Sequence, residues 1–125
     1  MQRVPFVCAL DDDHALGESL DGLLRSAGFA VRTFSSAQDF LQWSTNNEAD
    51  CLILDFAMPG MNGLEVRRAL LERGVVVPVI FATAVSQDDV WGQLTSCGAF
   101  AVFAKPLDAD ALLDAVQRAV TRVQA

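Results

Sequence analysis

The sequence lacks the long apolar runs and the terminal signals that mark membrane and exported proteins. No apolar run approaches the roughly 18 residues of a membrane-spanning helix. The amino terminus lacks the charged and then apolar layout of a signal peptide, and no internal repeat, linker or low-complexity segment is evident. We therefore expect a cytoplasmic protein that makes no membrane contact.

Cysteine is scarce and odd in number. Cys8, Cys51 and Cys97 lie in apolar surroundings and lack the spacing of metal ligands. This pattern predicts three buried, reduced thiols.

Basic residues are also few. Lys and Arg number 9 against 16 Asp and Glu, which gives a net charge of −7. Because contacts to phosphates require clustered basic residues, this balance argues against direct binding of nucleic acid. The acids could instead hold a divalent cation or favour a basic partner.

The chain does have enough apolar residues for a compact fold. It contains 125 residues, of which 52% are hydrophobic, so a disordered segment is excluded. This length predicts one domain, residues 1–125, with a sizeable core.

Apolar runs alternate five times with segments of helical period. The predicted strands are residues 6–10, 30–34, 51–54, 75–82 and 100–104, with Pro78 near the start of the fourth. A helix is predicted after each strand, the first over 14–27 and the last capped by Asp108. Such alternation is typical of an α/β fold with a parallel sheet covered on both faces.

Polar residues stand where four of these strands end. Asp11 and Asp12 follow the first strand, and Asp55 follows the third and precedes a loop rich in Gly and Pro. Thr83 and Lys105 follow the fourth and fifth strands. Carboxyl ends of parallel strands share one edge of a sheet, where ligands bind in open α/β folds. We therefore expect these five side chains to meet.

The chemistry of that group is specific. Adjacent carboxylates raise one another's pKa, and a Mg²⁺ ion bound to their oxygens would remove this cost. An ammonium and a hydroxyl beside Asp55 would stabilise a transferring phosphoryl group, with Asp55 as the nucleophile. Taken singly, each residue could instead be a helix cap or a surface charge. Asp13 is interpreted as only a cap of the first helix.

Four segments together resemble the receiver domains of response regulators in two-component signalling: the acids of LDDD, then LDFAMPGMNG, FATA and AKP. The resemblance covers about residues 4–122. The segments SSAQDFL and GVVVPVIFATA are most similar to the nitrogen-fixation regulator subfamily. The family implies a flavodoxin-like, doubly wound sheet of five strands in the order 2-1-3-4-5 with five helices.

The resemblance also implies a metal site and a phosphoacceptor. Asp55 would accept a phosphoryl group from a sensor histidine kinase. Asp12 would bind Mg²⁺ directly, Asp11 would bind it through water, and Asp55 and the backbone carbonyl of Ala57 would complete the protein's ligands. Thr83 and Lys105 would contact the phosphoryl group, and the Lys105–Pro106 bond would be cis.

Two positions depart from the family pattern. Val102 stands where receivers usually carry the Tyr or Phe that couples the site to the last strand. Phe100, two residues earlier and so on the same predicted strand face, is a candidate replacement. Ala57 and Val85 replace polar residues that often position the hydrolytic water, so we expect slow autodephosphorylation.

The resulting prediction is a phosphorylation switch whose fourth helix, fifth strand and fifth helix form the output face. It would assist its own phosphotransfer and dephosphorylation but would not otherwise be an enzyme. Its expected partners are the kinase, an output domain or target protein, and a second copy on phosphorylation. Trp91 could anchor a partner or be buried.

Two alternatives remain open at this point. The positions of Asp11 and Asp13 fit a haloacid-dehalogenase-like phosphatase. Against this alternative, Ala15 departs from the motif of those enzymes, the sequence shows no cap insertion, and Asp55 would have no role. A pseudo-receiver that docks without phosphate is the other alternative.

Overall fold

The computed structural model describes residues 3–124, with the side chains of residues 3–121. Residues 1–2 and 125, at the ends of the predicted domain, lie outside this part. Five parallel strands form one sheet, and each is followed by a helix. The strands are β1 (Phe6–Leu10), β2 (Ala30–Phe34), β3 (Cys51–Asp55), β4 (Val79–Thr83) and β5 (Ala101–Ala104).

The strand order is β2-β1-β3-β4-β5, as the family resemblance implied. Strand β2 therefore lies at an edge, where Arg32 and Thr33 are exposed. Strand β3 lies at the centre and is buried along its whole length, which explains its unbroken apolar run.

The helices divide the core into two layers. They are α1 (His14–Ser26), α2 (Ala37–Ser44), α3 (Gly63–Glu72), α4 (Asp88–Ser96) and α5 (Ala109–Gln124). Helices α1 and α5 bury residues such as Leu24 and Val116 on one face of the sheet. Helices α2, α3 and α4 bury residues such as Phe40, Leu70 and Leu94 on the other face.

Side chains cap the starts of four of the five helices, α1, α2, α3 and α5. Asp13 caps α1 by accepting from the N–H groups of Ala15 and Leu16, and Ser36 caps α2. Asn62 and Glu65 form a reciprocal capping box on α3, and Asp108 accepts from the N–H of Ala111 at the start of α5. The interpretation of Asp13 as a helix cap is therefore confirmed.

Two predicted strand starts were wrong. Strand β4 begins at Val79, directly after Pro78, which has no N–H for the ladder but whose carbonyl still accepts from the N–H of Leu52 in β3. Val76, predicted within that strand, is 88% exposed. Strand β5 begins at Ala101, one residue later than expected.

The thiol prediction was correct for two cysteines and wrong for the third. All three cysteines are free, and Cys8 and Cys51 are buried. Burial raises the pKa of both thiols to about 12, so they stay protonated near neutral pH. Cys97 is only half-buried, because it lies at the end of α4 and not in a strand. Among the described residues, no helix has the length and apolar character needed to cross a bilayer.

Candidate functional site

The register of the sheet brings the predicted residues to one edge. Leu10 of β1 pairs with Leu54 of β3, so the next residues, Asp11 and Asp55, lie at the same level. On the other side of β3, Asp55 pairs with Ala82 of β4, one residue before Thr83. The N–H of Lys105 donates to the carbonyl of Thr83 at 2.9 Å, which places the end of β5 beside that of β4.

Three carboxylates gather at this edge. Asp11, Asp12 and Asp55 each offer an oxygen, and these oxygens lie within 4.8 Å of one another. Asp11 and Asp55 are only 5% and 4% exposed, whereas Asp12 is exposed. Asp11 Oδ1 also accepts from the N–H of Asp13 at 2.9 Å. This is a cluster of hard oxygen donors with one side open to solvent.

Lys105 links two of these acids. Its Nζ donates to Asp11 Oδ2 at 2.8 Å and lies 3.4 Å from Asp55 Oδ1. Burial acts to lower the pKa of the ammonium, but the hydrogen bond to Asp11 and the charge of Asp55 outweigh it, so the pKa of Lys105 is raised. The cation is therefore held charged between the two carboxylates.

The Asp55 carboxyl lies in surroundings that disfavour its charged form. Burial is the main cause that raises its pKa to about 6, and the neighbouring Asp11 adds to the effect. Lys105 acts in the opposite direction but does not cancel the shift. One ammonium is thus too little positive charge for the site, and a divalent cation on these oxygens would supply the remainder.

The loop after β3 is fixed by close backbone approach. The N–H of Gly63, the first residue of α3, donates to the Phe56 carbonyl at 2.9 Å. A Cβ at Gly63 would lie 2.5 Å from the Asp55 carbonyl oxygen and 3.0 Å from the Phe81 ring. Only glycine allows this approach, whereas the sequence had indicated no more than a turn residue there.

Thr83 and Val85 form the other wall of the site. Thr83 is fully buried, and its Oγ1 accepts from the N–H of Val85 at 3.0 Å. The Val85 carbonyl accepts from the indole Nε1–H of Trp91 at 2.6 Å. Sequence patterns gave no signal for this second bond. Ala57 lies exposed in the loop two residues beyond Asp55.

The prediction that Phe100 and Val102 lie on the same strand face was wrong. Val102 packs on the α4 side of the sheet, but Phe100 packs on the α1–α5 side, where the Arg118 guanidinium lies 5.8 Å from its ring centroid. The strand alternation that would align the two residues does not reach Phe100, because β5 begins at Ala101. The Lys105–Pro106 bond is cis, as expected.

Comparisons with known proteins find matches that cover most of the chain. The family model of the response regulator receiver domain matches residues 7–117. The chain is 39% identical to the response regulator protein TodT of Pseudomonas putida over 118 residues, covering 94% of the chain and 52% of TodT. It is also 39% identical to the transcriptional regulatory protein TdiR of Thauera aromatica over 114 residues, covering 91% of the chain and 50% of TdiR. The chain spans about half the length of these curated relatives.

Solved structures agree. A response regulator receiver protein from Burkholderia phymatum is similar with a TM-score of 0.83 and 38% identity, over 94% of this chain and 95% of that one. The structure of FixJ-N has a TM-score of 0.86 and 29% identity, over 97% of this chain and 96% of that one. The similarity to FixJ-N agrees with the subfamily resemblance drawn from the sequence.

Proposed function

The chain belongs to the response regulator receiver family of two-component signalling, and we propose that phosphorylation of Asp55 sets its signalling state. The observation that supports this most strongly is the position of Lys105 Nζ, between Asp11 and Asp55 at the end of the central strand. A buried carboxylate with a shared cation and an open side has the components that phosphoryl transfer needs.

The proposed step is an exchange of bonds at phosphorus. A carboxylate oxygen of Asp55 forms a bond to phosphorus while the bond from phosphorus to an imidazole nitrogen of the kinase's phosphohistidine breaks. The electron pair stays with that nitrogen, and Asp55 then carries an acyl phosphate. The Lys105 ammonium, already 3.4 Å from Asp55 Oδ1, pairs with the added negative charge.

The donor set fits Mg²⁺. Asp11, Asp12, Asp55 and the Ala57 carbonyl would hold the ion, and all of these ligands are oxygens. When bound, Mg²⁺ would supply the positive charge that the gathered carboxylates and the transferring phosphoryl group lack. The raised pKa of Asp55, caused first by burial and then by the charge of Asp11, agrees with that shortage.

Thr83 and Lys105 are the proposed responders to the added phosphoryl group. Thr83 Oγ1 turns from Val85 toward a phosphoryl oxygen, which changes the loop that leads into α4. The face made by α4, β5 and α5 then differs between the two states and binds the output domain, a target protein or a second copy. A sensor histidine kinase is the proposed donor. Ala57 and Val85 cannot hydrogen-bond a hydrolytic water through their side chains, so the proposed state is long-lived.

The phosphatase alternative gains no support from the site. It requires Asp13 to act beside Asp11, but Asp13 Oδ1 accepts from the N–H groups of Ala15 at 3.0 Å and Leu16 at 3.2 Å. That carboxylate is occupied as a helix cap.

Acetyl phosphate with Mg²⁺, followed by intact-mass measurement, tests the proposal. We expect the mass of one phosphoryl group to be added to the wild type and to Asp50→Asn, but not to Asp55→Asn. Asp50→Asn is the matched control because it changes the buried Asp at the other end of β3. An unmodified wild type would support the pseudo-receiver, and a phosphorylated Asp55→Asn would move the acceptor elsewhere.

A further inference from the structure

Strand β5 offers no aromatic side chain on the α4 side of the sheet that could couple the site to α4. Val102 has no aromatic ring to move, and Phe100 packs on the opposite face of the sheet. On the α4 side, the half-buried side chain of Trp91 lines the same crevice as Thr83. Its environment therefore bears directly on how α4 senses the site.

Two consecutive hydrogen bonds connect Thr83 to Trp91. Thr83 Oγ1 accepts from the N–H of Val85 at 3.0 Å, and the carbonyl of Val85 accepts from Trp91 Nε1–H at 2.6 Å. The N–H and the carbonyl belong to the two peptide units that flank the Val85 Cα, so a displacement of the Val85 backbone acts on both bonds. Trp91 is also tied into α4 by its own N–H, which donates to the Gln87 carbonyl at 3.1 Å.

Helix α4 is otherwise held by few contacts. Within α4, all of which the structure describes, Leu94 is the one buried side chain. Gln87 precedes the helix but makes no side-chain capping bond, unlike the residues that open α1, α2 and α3. A helix with little buried surface and no cap is at the low end of local stability. The indole bond fixes its first turn together with the packing of Val90 against the core.

There is also space for the loop to move. A crevice of about 520 Å³ is lined by residues that include Thr83, Val85, Trp91 and Lys105. The indole and the proposed phosphoryl contacts thus border the same volume.

We infer that Trp91 is the positioning residue that couples Thr83 to α4 through the backbone of Val85. The inference deepens the proposed function and rests on it. When Thr83 Oγ1 leaves the N–H of Val85 for a phosphoryl oxygen, the backbone of Val85 shifts, and the indole bond and the first turn of α4 shift with it. Trp91 takes the role of the aromatic side chain that is missing at position 102.

Nuclear magnetic resonance of the two indole N–H groups tests this in ¹⁵N-labelled protein. Trp43 is the internal control, since its ring packs against Phe6, Phe34 and Phe40 near the β2 edge of the sheet, at the opposite edge from β5. Before phosphorylation, Thr83→Val should move the Trp91 signal and speed its exchange with solvent by about fivefold, the loss expected for one hydrogen bond. Thr83→Ser keeps the hydroxyl and should change neither property.

Acetyl phosphate with Mg²⁺ gives the second comparison. Covalent phosphate is first verified by mass. The Trp91 signal should then move in the wild type and in Thr83→Ser but stay in place in Thr83→Val. The Trp43 signal should not move in any of the three proteins. A Trp91 signal that stays fixed in the phosphorylated wild type, or that moves equally in Thr83→Val, would overturn the coupling. If the wild type takes up no phosphate, the proposed function is contradicted instead. The comparison made before phosphorylation then still tests whether the two hydrogen bonds are coupled.

Trp91→Phe provides a variant outside the phosphoryl site. It keeps a ring but removes the N–H donor, so the extent of phosphorylation should be unchanged. The phosphorylation-dependent shifts of the backbone amides of α4 should be lost, while that of Gly63 remains. Unaltered α4 shifts in this variant would also contradict the inference.

Discussion

Strand β3 has a buried aspartate at each end, and the pKa values of the two carboxyls are shifted in opposite directions. Asp50, just before the strand, is 5% exposed, and Asp55, its last residue, is 4% exposed. The hydrogen bond from Arg3, with a further one from the N–H of Phe6, outweighs burial and lowers the pKa of Asp50. Burial and the charge of Asp11 raise the pKa of Asp55 to about 6. Two equally buried residues of one type therefore have opposite preferences for charge.

The difference lies in the supply of positive charge. Asp50 has a guanidinium to itself, with Arg3 Nη1 at 2.7 Å from Oδ2 and Nη2 bonded to Oδ1, and it accepts from the Phe6 N–H at 2.8 Å. Asp55 shares one ammonium with Asp11, which is the nearer partner. A satisfied carboxylate stabilises the fold, whereas an under-compensated one is suited to binding a cation or a phosphoryl group.

Removal of the satisfied carboxylate should have the largest effect on stability. Asp50→Ala leaves the Phe6 N–H and Arg3 without their acceptor, and we expect the free energy of unfolding to fall by about 2 kcal/mol. Urea denaturation measures this. Asp21→Ala, which removes an exposed ion pair with Arg25, is the control and should change little. Equal losses in both variants would mean that the contacts of Asp50 are not stabilising.

Binding of Mg²⁺ at Asp55, at the other end of β3, should raise the stability of the folded protein. At a Mg²⁺ concentration ten times its Kd, binding to the folded state alone adds about 1.4 kcal/mol. Thermal unfolding with and without Mg²⁺ should show this gain in the wild type and in Asp50→Asn. The gain should be absent in Asp55→Asn, and its persistence there would place the cation elsewhere.

The smallest expected effect is a pH dependence of opposite sign at the two ends. Because the folded pKa of Asp55 is raised, its contribution to stability is full below about pH 4 and is lost as the pH rises through about 6, on the order of 1 kcal/mol after solvent screening. The contribution of Asp50 is present above its ordinary pKa and is lost as the pH falls below that value.

Urea titrations in a chelating buffer separate these two dependences. Asp55→Asn should flatten the decline between pH 4 and 7, and Asp50→Asn should leave it in place. A decline that survives in Asp55→Asn would assign the shifted pKa to another group.

The fold could be predicted because its parallel strands are buried and alternate with amphipathic helices. The start of β4 could not, because 75–77 is as apolar as a strand and only the tertiary setting leaves Val76 exposed. The site residues could be found because parallel strands bring their carboxyl ends to one edge. Sequence spacing does not specify side-chain directions. It therefore could not predict that Lys105 is nearer to Asp11 than to Asp55, that the Trp91 indole bonds the Val85 carbonyl, or on which face of the sheet Phe100 packs.

The bare Cα of Gly63 has a mechanical consequence. Because Gly63 of α3 lies directly against the Asp55 carbonyl, we expect the first turn of that helix and the end of β3 to move as one unit. We expect α3 to stay still when the neighbouring charge changes, and so to serve as the frame against which the loosely held α4 is displaced.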